Sequence, residues 1–594
     1  MDQAHLAVRF AAAASMHATA PATRIRSGDG WAVRTYSELA ADVRALAARL
    51  IGLGLEPGDR VAILSPNRPE WSLVDLACLS AALVPVPLYP SSTPHQVRHI
   101  LADSGCRAAF VAGADALQRL VPVLDDLPAL TRVVSFEASD HPAVAATLAE
   151  EIAAGGDVTA VDERLAAASA DDLATIVYTS GTTGEPKGVM LSHRAFDHQV
   201  NVLNRYFTIT EADGSLCFLP LSHALERAWT YVVLTSGAQN TYVADPREVA
   251  DAMVQAQPTL LVSVPRLYEK VFLTAKDRVS DSALKQRLLA WALGVGTRHH
   301  TARLAGARPG RVLALQHAVA DRLVLHSIRE AMGGPKNVLA CGGAPLRQEI
   351  EEFFFGCGLL VLQGYGLTEA SPLVSFPSAD AYRFGTVGRV IDGAEVRLGD
   401  DGEICYRGPN LMLGYWGRPS DTAEVLVDGW LHTGDVGELD PDGFLRITDR
   451  IKDLIVTSNG KNVAPAPIEG LLATDPLFEY TLLLGDNRPY LTLLVAPSLP
   501  QLEDIGKQLQ LTWARRDELL AHPAILDELR RRAAALTSRL AGHEQVRDVR
   551  LLEEEFTQEN GLLTPTLKVR RKEVERRFAQ LVEEMYARTG RVRK

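Results

Sequence analysis

The sequence lacks the features that define several large protein classes. Its most apolar stretch, Leu76 to Tyr89, is shorter than the roughly 18 residues a membrane-spanning helix needs and contains two prolines, so no span is expected. Basic charge is in deficit: 61 Lys+Arg stand against 73 Asp+Glu, a net charge of -12, which excludes a general nucleic-acid binder. The six cysteines (Cys78, Cys106, Cys217, Cys341, Cys357, Cys405) form no CxxC pair, so no structural zinc site is expected and the thiols read as those of a reduced, cytoplasmic protein. The first residues, MDQAHLAVRF, lack the basic flank and long apolar core of a secretory signal. Lysine is scarce too, with 11 in 594 residues and none before Lys187. A lysine inside a loop motif is therefore a choice over arginine, a compact point charge in place of a planar fork.

What is present is ordinary globular composition, 47% hydrophobic and 23% charged, in a chain too long for one simple core. From Thr35 a helix with Leu39, Val43, Leu46 and Leu50 on one face leads to the strand at 61–64, and helices and strands then alternate as in a parallel α/β sheet. The alternation returns after Asp171. Between Lys270 and Gly334 it gives way to an Arg/Ala/Leu-rich helical stretch, read as an inserted hairpin packed on the main domain, with peripheral contact at the inner face of the membrane as the alternative. After about Gly385 the strands shorten and Asp-Gly turns appear, indicating a small β-rich subdomain over about 385–449. The boundary is placed at Arg450, giving residues 1–450 and 451–594 as two domains. The second is expected to hold two strands, a helix near 514–541 and a closing helix after Lys568.

The strongest chemical signal is YTSGTTGEPKG, Tyr178 to Gly188, directly after an apolar strand. Glycines and hydroxyls in such a turn present N–H and O–H donors to phosphate oxygens. The spacing is not that of a Walker A loop, because Glu185 and Pro186 separate Gly184 from Lys187, and no GxGxxG fingerprint is present. The segment resembles the signature of the AMP-forming adenylate synthetases, the superfamily of acyl-CoA synthetases, adenylation domains and beetle luciferases. That resemblance implies a large N-terminal α/β domain with a mobile α+β C-terminal domain, and it assigns Thr179, Ser180, Gly181, Thr182, Thr183, Gly184 and Lys187 to nucleotide phosphates. Further motifs follow in the family's order across nearly the whole chain. CGGAPL, with Gly343 and Ala344, resembles the turn against the adenine edge. QGYGLTE resembles the adenine and magnesium segment: Gln363, Gly364, Tyr365 and Gly366 at the base, Thr368 at the α-phosphate and Glu369 as the Mg²⁺ ligand. WLHTGD and DRIKDLI place Asp435 and Arg450 at the ribose, Lys452 at the interdomain hinge and Gly460 in the loop that lines the pantetheine tunnel. NGLLTPTLKVRR places Lys568 at the carboxylate and α-phosphate.

Each residue also has a plain reading. Asp435 alone is a turn residue, Lys568 alone a solvated lysine, and His223 in LPLSHALER is either a core histidine or a pocket wall; the joint pattern favours chemistry. His223 is counted with Lys568, Thr368 and Glu369 among the candidate catalytic residues. LSHALER, the helical insertion and GDNRPYLTLLVAP resemble bacterial long-chain fatty acyl-CoA synthetases. The expected activity is ATP- and Mg²⁺-dependent ligation of a long-chain fatty acid to coenzyme A, with no protein partner evident. The alternatives are a fatty acyl-AMP ligase loading a carrier protein, a non-catalytic lipid-binding protein and a phosphotransferase. Two departures from the family pattern stand out: Arg227 aligns where some relatives have an aromatic gate, with Trp229 nearby, and Thr448-Asp449 replaces the glycine that often precedes the hinge arginine.

Overall fold

Long runs of consecutive apolar residues bury both faces of a strand, and this chain uses them to build parallel sheets. The computed structural model of the chain describes residues 4–28, 30–179, 185–399, 401–459, 461–558, 560–564 and 568–587, the side chains of Lys452, Asn462 and Ala587 excepted. Packing of the backbone divides the chain into two units. The first comprises Met1–Arg397, Cys405–Thr433 and Leu439–Arg446; the second comprises Leu398–Ile404, Gly434–Glu438 and Ile447–Lys594. The fold is α/β, with helices on parallel and mixed sheets.

In the first unit, Arg60–Leu64 pairs in parallel with Val84–Leu88 on one side and Ala108–Val111 on the other, and the sheet continues through Arg132–Ser135. A seven-stranded sheet runs in the order Leu362–Gln363, Val338–Cys341, Leu260–Ser263, Gly214–Cys217, Gln239–Tyr242, Pro21–Ser27 and Gly30–Thr35, parallel except at its last pair. Helices begin where the sequence supplies caps: Thr35 with Glu38, and Thr93 with Gln96, close capping boxes that satisfy otherwise orphaned N–H groups. The antiparallel pair Leu173–Thr179 and Lys187–Ser192 carries the candidate phosphate loop between its strands. Ile176 and Tyr178 anchor it in the core of the five-stranded sheet.

The stretch read as one helical insertion is four helices: Pro265–Asp277, Ala283–Leu304, Arg311–Ala320 and His326–Ala331, the last two joined by a π-turn at Asp321–Leu325. Leu289, Ala292, Val295, Ala320 and Leu325 enter the core beneath the seven-stranded sheet, so the hairpin is packed on its domain along one face.

In the second unit Tyr480–Leu484 and Leu491–Ala496 pair antiparallel, and Val546–Leu551 lies parallel to the latter. The helix expected near 514–541 is two, Arg516–Leu520 and Pro523–Thr537. Pro523 has no N–H and pushes His522 out of helical geometry, so one helix ends and His522 caps the next. The closing helix is likewise divided, into Arg571–Arg577 and Ala579–Ala587. All six cysteines are buried, and none is in a disulfide.

Candidate active site

The phosphate-loop strands present two fixed ends. Thr179 and Lys187 face each other in register, and Ser180 to Gly184 lie outside the described residues. His99 supports the loop's return: its Nε2–H donates to the Pro186 carbonyl at 3.0 Å, and its Nδ1 lies 3.0 Å from Glu185. Lys187 pairs with Asp421, Nζ to Oδ2 at 2.7 Å, and its ammonium lies 5.4 Å from the centre of the Tyr415 ring. The hydrogen bond from Lys187 holds the Asp421 carboxyl below its ordinary range. Tyr415 reaches the next candidate, its hydroxyl donating to Glu369 Oε1 at 2.9 Å, and burial together with that carboxylate raises the phenol's pKa. The strand Gly414–Tyr415 adds to Lys187–Ser192, and Trp416 N–H donates to the Gly188 carbonyl at 2.7 Å. Lys187 and Glu369, 182 positions apart in the chain, are thus joined through Tyr415.

The segment around Glu369 is rigidly seated. The Asn410 amide donates to the Ala370 and Leu373 carbonyls, and its own oxygen accepts from the Tyr406 hydroxyl. At Gly366 any Cβ would fall 1.5 Å from the Pro372 carbonyl oxygen, so no other residue fits the turn. Thr368 and Tyr365 are both buried. Gln363 accepts from Leu346 N–H, and Gly364 N–H donates to Cys341 at 2.8 Å, which ties the QGYG and CGGAPL segments together. Gly343, with a φ of +81°, turns the latter sharply after its strand, ahead of Ala344.

His223 caps the helix Ala224–Thr235, its Nδ1 accepting from Leu225 N–H at 3.2 Å. The Leu225 side chain lies 3.6 Å from where a Cβ on Gly342 would stand, so this helix begins against the CGGAPL turn. Arg227, which aligns with an aromatic gate of some relatives, and the nearby Trp229 are both in the core. Arg227 pairs with Asp75 and donates to Thr175 Oγ1 at 2.6 Å and to the Tyr231 hydroxyl at 3.0 Å. Burial opposes its charge, but Asp75 and Tyr231 outweigh that and raise its pKa. Trp229 Nε1–H donates to Ser215 Oγ at 3.0 Å.

The second unit gathers the remaining candidates. Arg450 Nε donates to Asp435 Oδ1 at 2.6 Å; Asp435 is buried, while the arginine side chain is 52% exposed. Asp449, in place of the expected glycine, accepts from Arg450 N–H at 2.7 Å, and burial pushes its carboxyl up to about 6. Lys568 sits on a small hairpin, Thr564 N–H donating to its carbonyl at 2.8 Å. The protein around its ammonium depresses its pKa, Arg450 adding to the effect while Asp435 and Asp453 oppose it. The Lys568 side chain is exposed in the fold. The Lys452 backbone lies in the turn Ile451–Asp453, and Gly460 lies outside the described residues. Tyr415, Asp421, Asn410 and His99 were not found by motif.

The AMP-binding enzyme family matches residues 10–416, and the AMP-binding enzyme C-terminal domain matches residues 452–590. The chain is 36% identical over 559 residues to a Mycobacterium bovis protein named long-chain-fatty-acid–CoA ligase FadD15, covering 94% of this chain and 92% of that one. It is 32% identical to the peroxisomal long chain acyl-CoA synthetase 6 of Arabidopsis thaliana, over 94% of this chain and 82% of the relative. Among solved structures, the A domain of a carboxylic acid reductase from Segniliparus rugosus, in complex with AMP and a co-purified carboxylic acid, aligns with a TM-score of 0.77. At 21% identity, covering 99% of this chain and 95% of that one, it supports the fold.

Proposed function

The chain belongs to the AMP-binding enzymes, and from that premise we propose that it is an AMP-forming ligase joining long-chain fatty acids to coenzyme A. The observation that carries the reading is the near full-length match to relatives named for that reaction. A carboxylate resists nucleophiles because of its charge, so it must first gain a leaving group. The acid's oxygen attacks the α-phosphorus of ATP, the bond to pyrophosphate breaks, and an acyl-adenylate forms. The coenzyme A thiol then attacks the acyl carbonyl, losing its proton, and AMP leaves.

Each residue role rests on charge and placement. Lys568 supplies positive charge to the α-phosphoryl oxygens as negative charge builds there, with Thr368 donating a hydrogen bond. Asp435 and Arg450 hold the ribose hydroxyls: the carboxylate accepts, and the exposed guanidinium offers donors to a ligand. Tyr365 stacks on the base, and Gly343, Ala344, Gln363, Gly364 and Gly366 shape its slot. Thr179 to Gly184 and Lys187 cradle the β- and γ-phosphates, Lys187 exchanging Asp421 for them. His223 and the helix behind it wall the acid pocket.

The residues present fit a magnesium ion. Glu369 offers a half-buried carboxylate oriented by Tyr415, the hard oxygen donor such an ion takes, and Thr368 stands beside it. Bound there, Mg²⁺ would neutralise phosphate charge. The thioester step does not need Lys568, and Lys452 and Gly460 are assigned to the change between half-reactions. The enzyme works on the cytoplasmic side, in peripheral contact with the membrane that holds its substrate.

Palmitate, ATP and either coenzyme A or a phosphopantetheinyl carrier protein test this. Palmitoyl-CoA and AMP are expected; acylation of the carrier alone would assign the chain to the acyl-AMP ligases, and ADP as product would end the adenylate reading.

A further inference from the structure

The helices Ala283–Leu304 and Arg311–Ala320 have a second apolar face that the core does not use. Their inner residues pack under the seven-stranded sheet. On the outer side of the second helix Val312, Leu315 and Val319 recur at i, i+3 and i+7, and Leu323 continues the stripe. Val312 and Leu315 are 72% and 70% exposed. The first helix adds Leu284, Leu288 and Trp291, also at helical spacing and also exposed. Single exposed apolar residues need no explanation, but six on two neighbouring helices, continued by Leu323 in the π-turn, do.

Charge on the same segment runs against the rest of the chain. Residues 282–320 contain no aspartate or glutamate and six basic residues, in a protein of net charge -12. Lys285, Arg287, Arg298, Arg303, Arg308 and Arg311 are all exposed. Lys285 pairs with Asp281, just outside the segment. Among the described residues no helix is long and apolar enough to cross a membrane. An apolar stripe with a tryptophan, flanked by cations and free of acids, suits a helix lying in the plane of an anionic interface.

We propose that this helical pair docks the protein on an anionic lipid bilayer, the apolar stripes entering the headgroup boundary and the arginines binding lipid phosphates. A second copy of the chain is the poorer occupant. A two-fold contact would set the same basic stripe against itself in the space it must dehydrate. Nucleic acid would satisfy the arginines but leave the apolar stripes in water. The proposal deepens the fatty acid reading and rests on it only for the source of the acid. Its test uses no ATP, acid or coenzyme A, so the two can fail separately.

The full-length protein is sedimented with vesicles of phosphatidylcholine alone or with a quarter phosphatidylglycerol. Binding to the anionic vesicles is expected to exceed binding to the neutral ones by at least about tenfold and to weaken as salt rises from about 0.1 to 0.5 M. The double variant Leu315→Asp, Val319→Asp, at two exposed positions, should lose about tenfold in vesicle binding while ligation of a water-soluble acid such as octanoate is retained. Tryptophan emission should shift to the blue on vesicle addition, and Trp291→Phe should diminish that shift. Equal binding to both vesicle types, binding by the double variant at the native level, or a native dimer that the double variant dissociates would each overturn the proposal.

Discussion

Two arginine–aspartate pairs in this chain use the same atoms for opposite ends. In Arg227–Asp75 the side chains are 1% and 2% exposed, and the remaining polar atoms are taken up by Thr175 and Tyr231. In Arg450–Asp435 the acid is buried, but the guanidinium is 52% exposed. The first pair locks the helix Ala224–Thr235 to the helix Pro69–Ser80 and to the strand that leads into the phosphate loop. The second has a cation that can turn to a ligand. Solvent access, which no local motif encodes, separates a structural pair from one able to bind.

Breaking the buried pair should have the largest effect. Arg227→Met leaves the Asp75 carboxylate in the core without its cation, which is expected to cost about 3–5 kcal/mol of stability in urea unfolding. Adding Asp75→Asn should recover part of the loss, since a neutral amide is less costly to bury than a lone charge. A single variant within about 1 kcal/mol of the native protein would mean that the pair is not what holds these elements together.

The second cluster should respond in rate rather than stability. Lys568→Ala is expected to slow acid-dependent exchange of pyrophosphate into ATP by about 10²–10³-fold, the scale for losing one charge-stabilising group. Thioester formation from preformed acyl-adenylate should change by less than about threefold, because no pyrophosphate leaves in that step. Equal losses in both half-reactions would remove the lysine from its assigned role. A smaller effect belongs to Arg450→Ala, which should raise the KM for ATP about tenfold with urea stability unchanged within about 0.5 kcal/mol, as for loss of one charged hydrogen bond to a ligand. Unfolding at lower urea together with an unchanged KM would make this pair structural as well, and the contrast would vanish.

The alternation of strands and helices was legible because apolar spacing is local. Asp435, Arg450 and Lys568 lie in short motifs, and the fold brings them together electrostatically in the second unit. Tyr415 and Asp421 were not legible. Tyr415 is 46 residues from Glu369, and nothing in GYWGRPSDT marks its hydroxyl for a carboxylate. Asn410 supports its segment by bonding carbonyls 37 and 40 positions away, and a lone asparagine carries no such message. Arg227 aligns with an aromatic gate of relatives, and its core role is not legible, because helical spacing gives its neighbour Tyr231 and not Asp75, 152 residues distant. The break before Pro523 was readable from the proline alone and was hidden by the Arg/Glu periodicity on either side.

The smallest effect comes from the residue beside Arg227. Glu226 is also fully buried, and although it accepts from Leu219 N–H at 3.2 Å and from the Cys217 thiol, burial outweighs both and pushes its carboxyl up to about 8. Asp75 keeps a cation against it and Glu226 does not. The ordinary value is 4.5, so the folded state holds this proton more tightly than the unfolded chain. The stability this contributes is complete below about pH 4.5 and is lost as pH rises through about 8. Glu226→Gln cannot ionise and keeps an oxygen for Leu219. Near pH 6 it should lie within about 1 kcal/mol of the native protein, and above pH 8 it should be the more stable of the two. Urea midpoints of both proteins at pH 6 and above 8 isolate Glu226 from Glu351 and Asp449, whose carboxyls burial also raises, to about 7 and about 6. Parallel pH slopes would show that Glu226 is ionised in the fold, held by a partner that makes it resemble Asp75 after all.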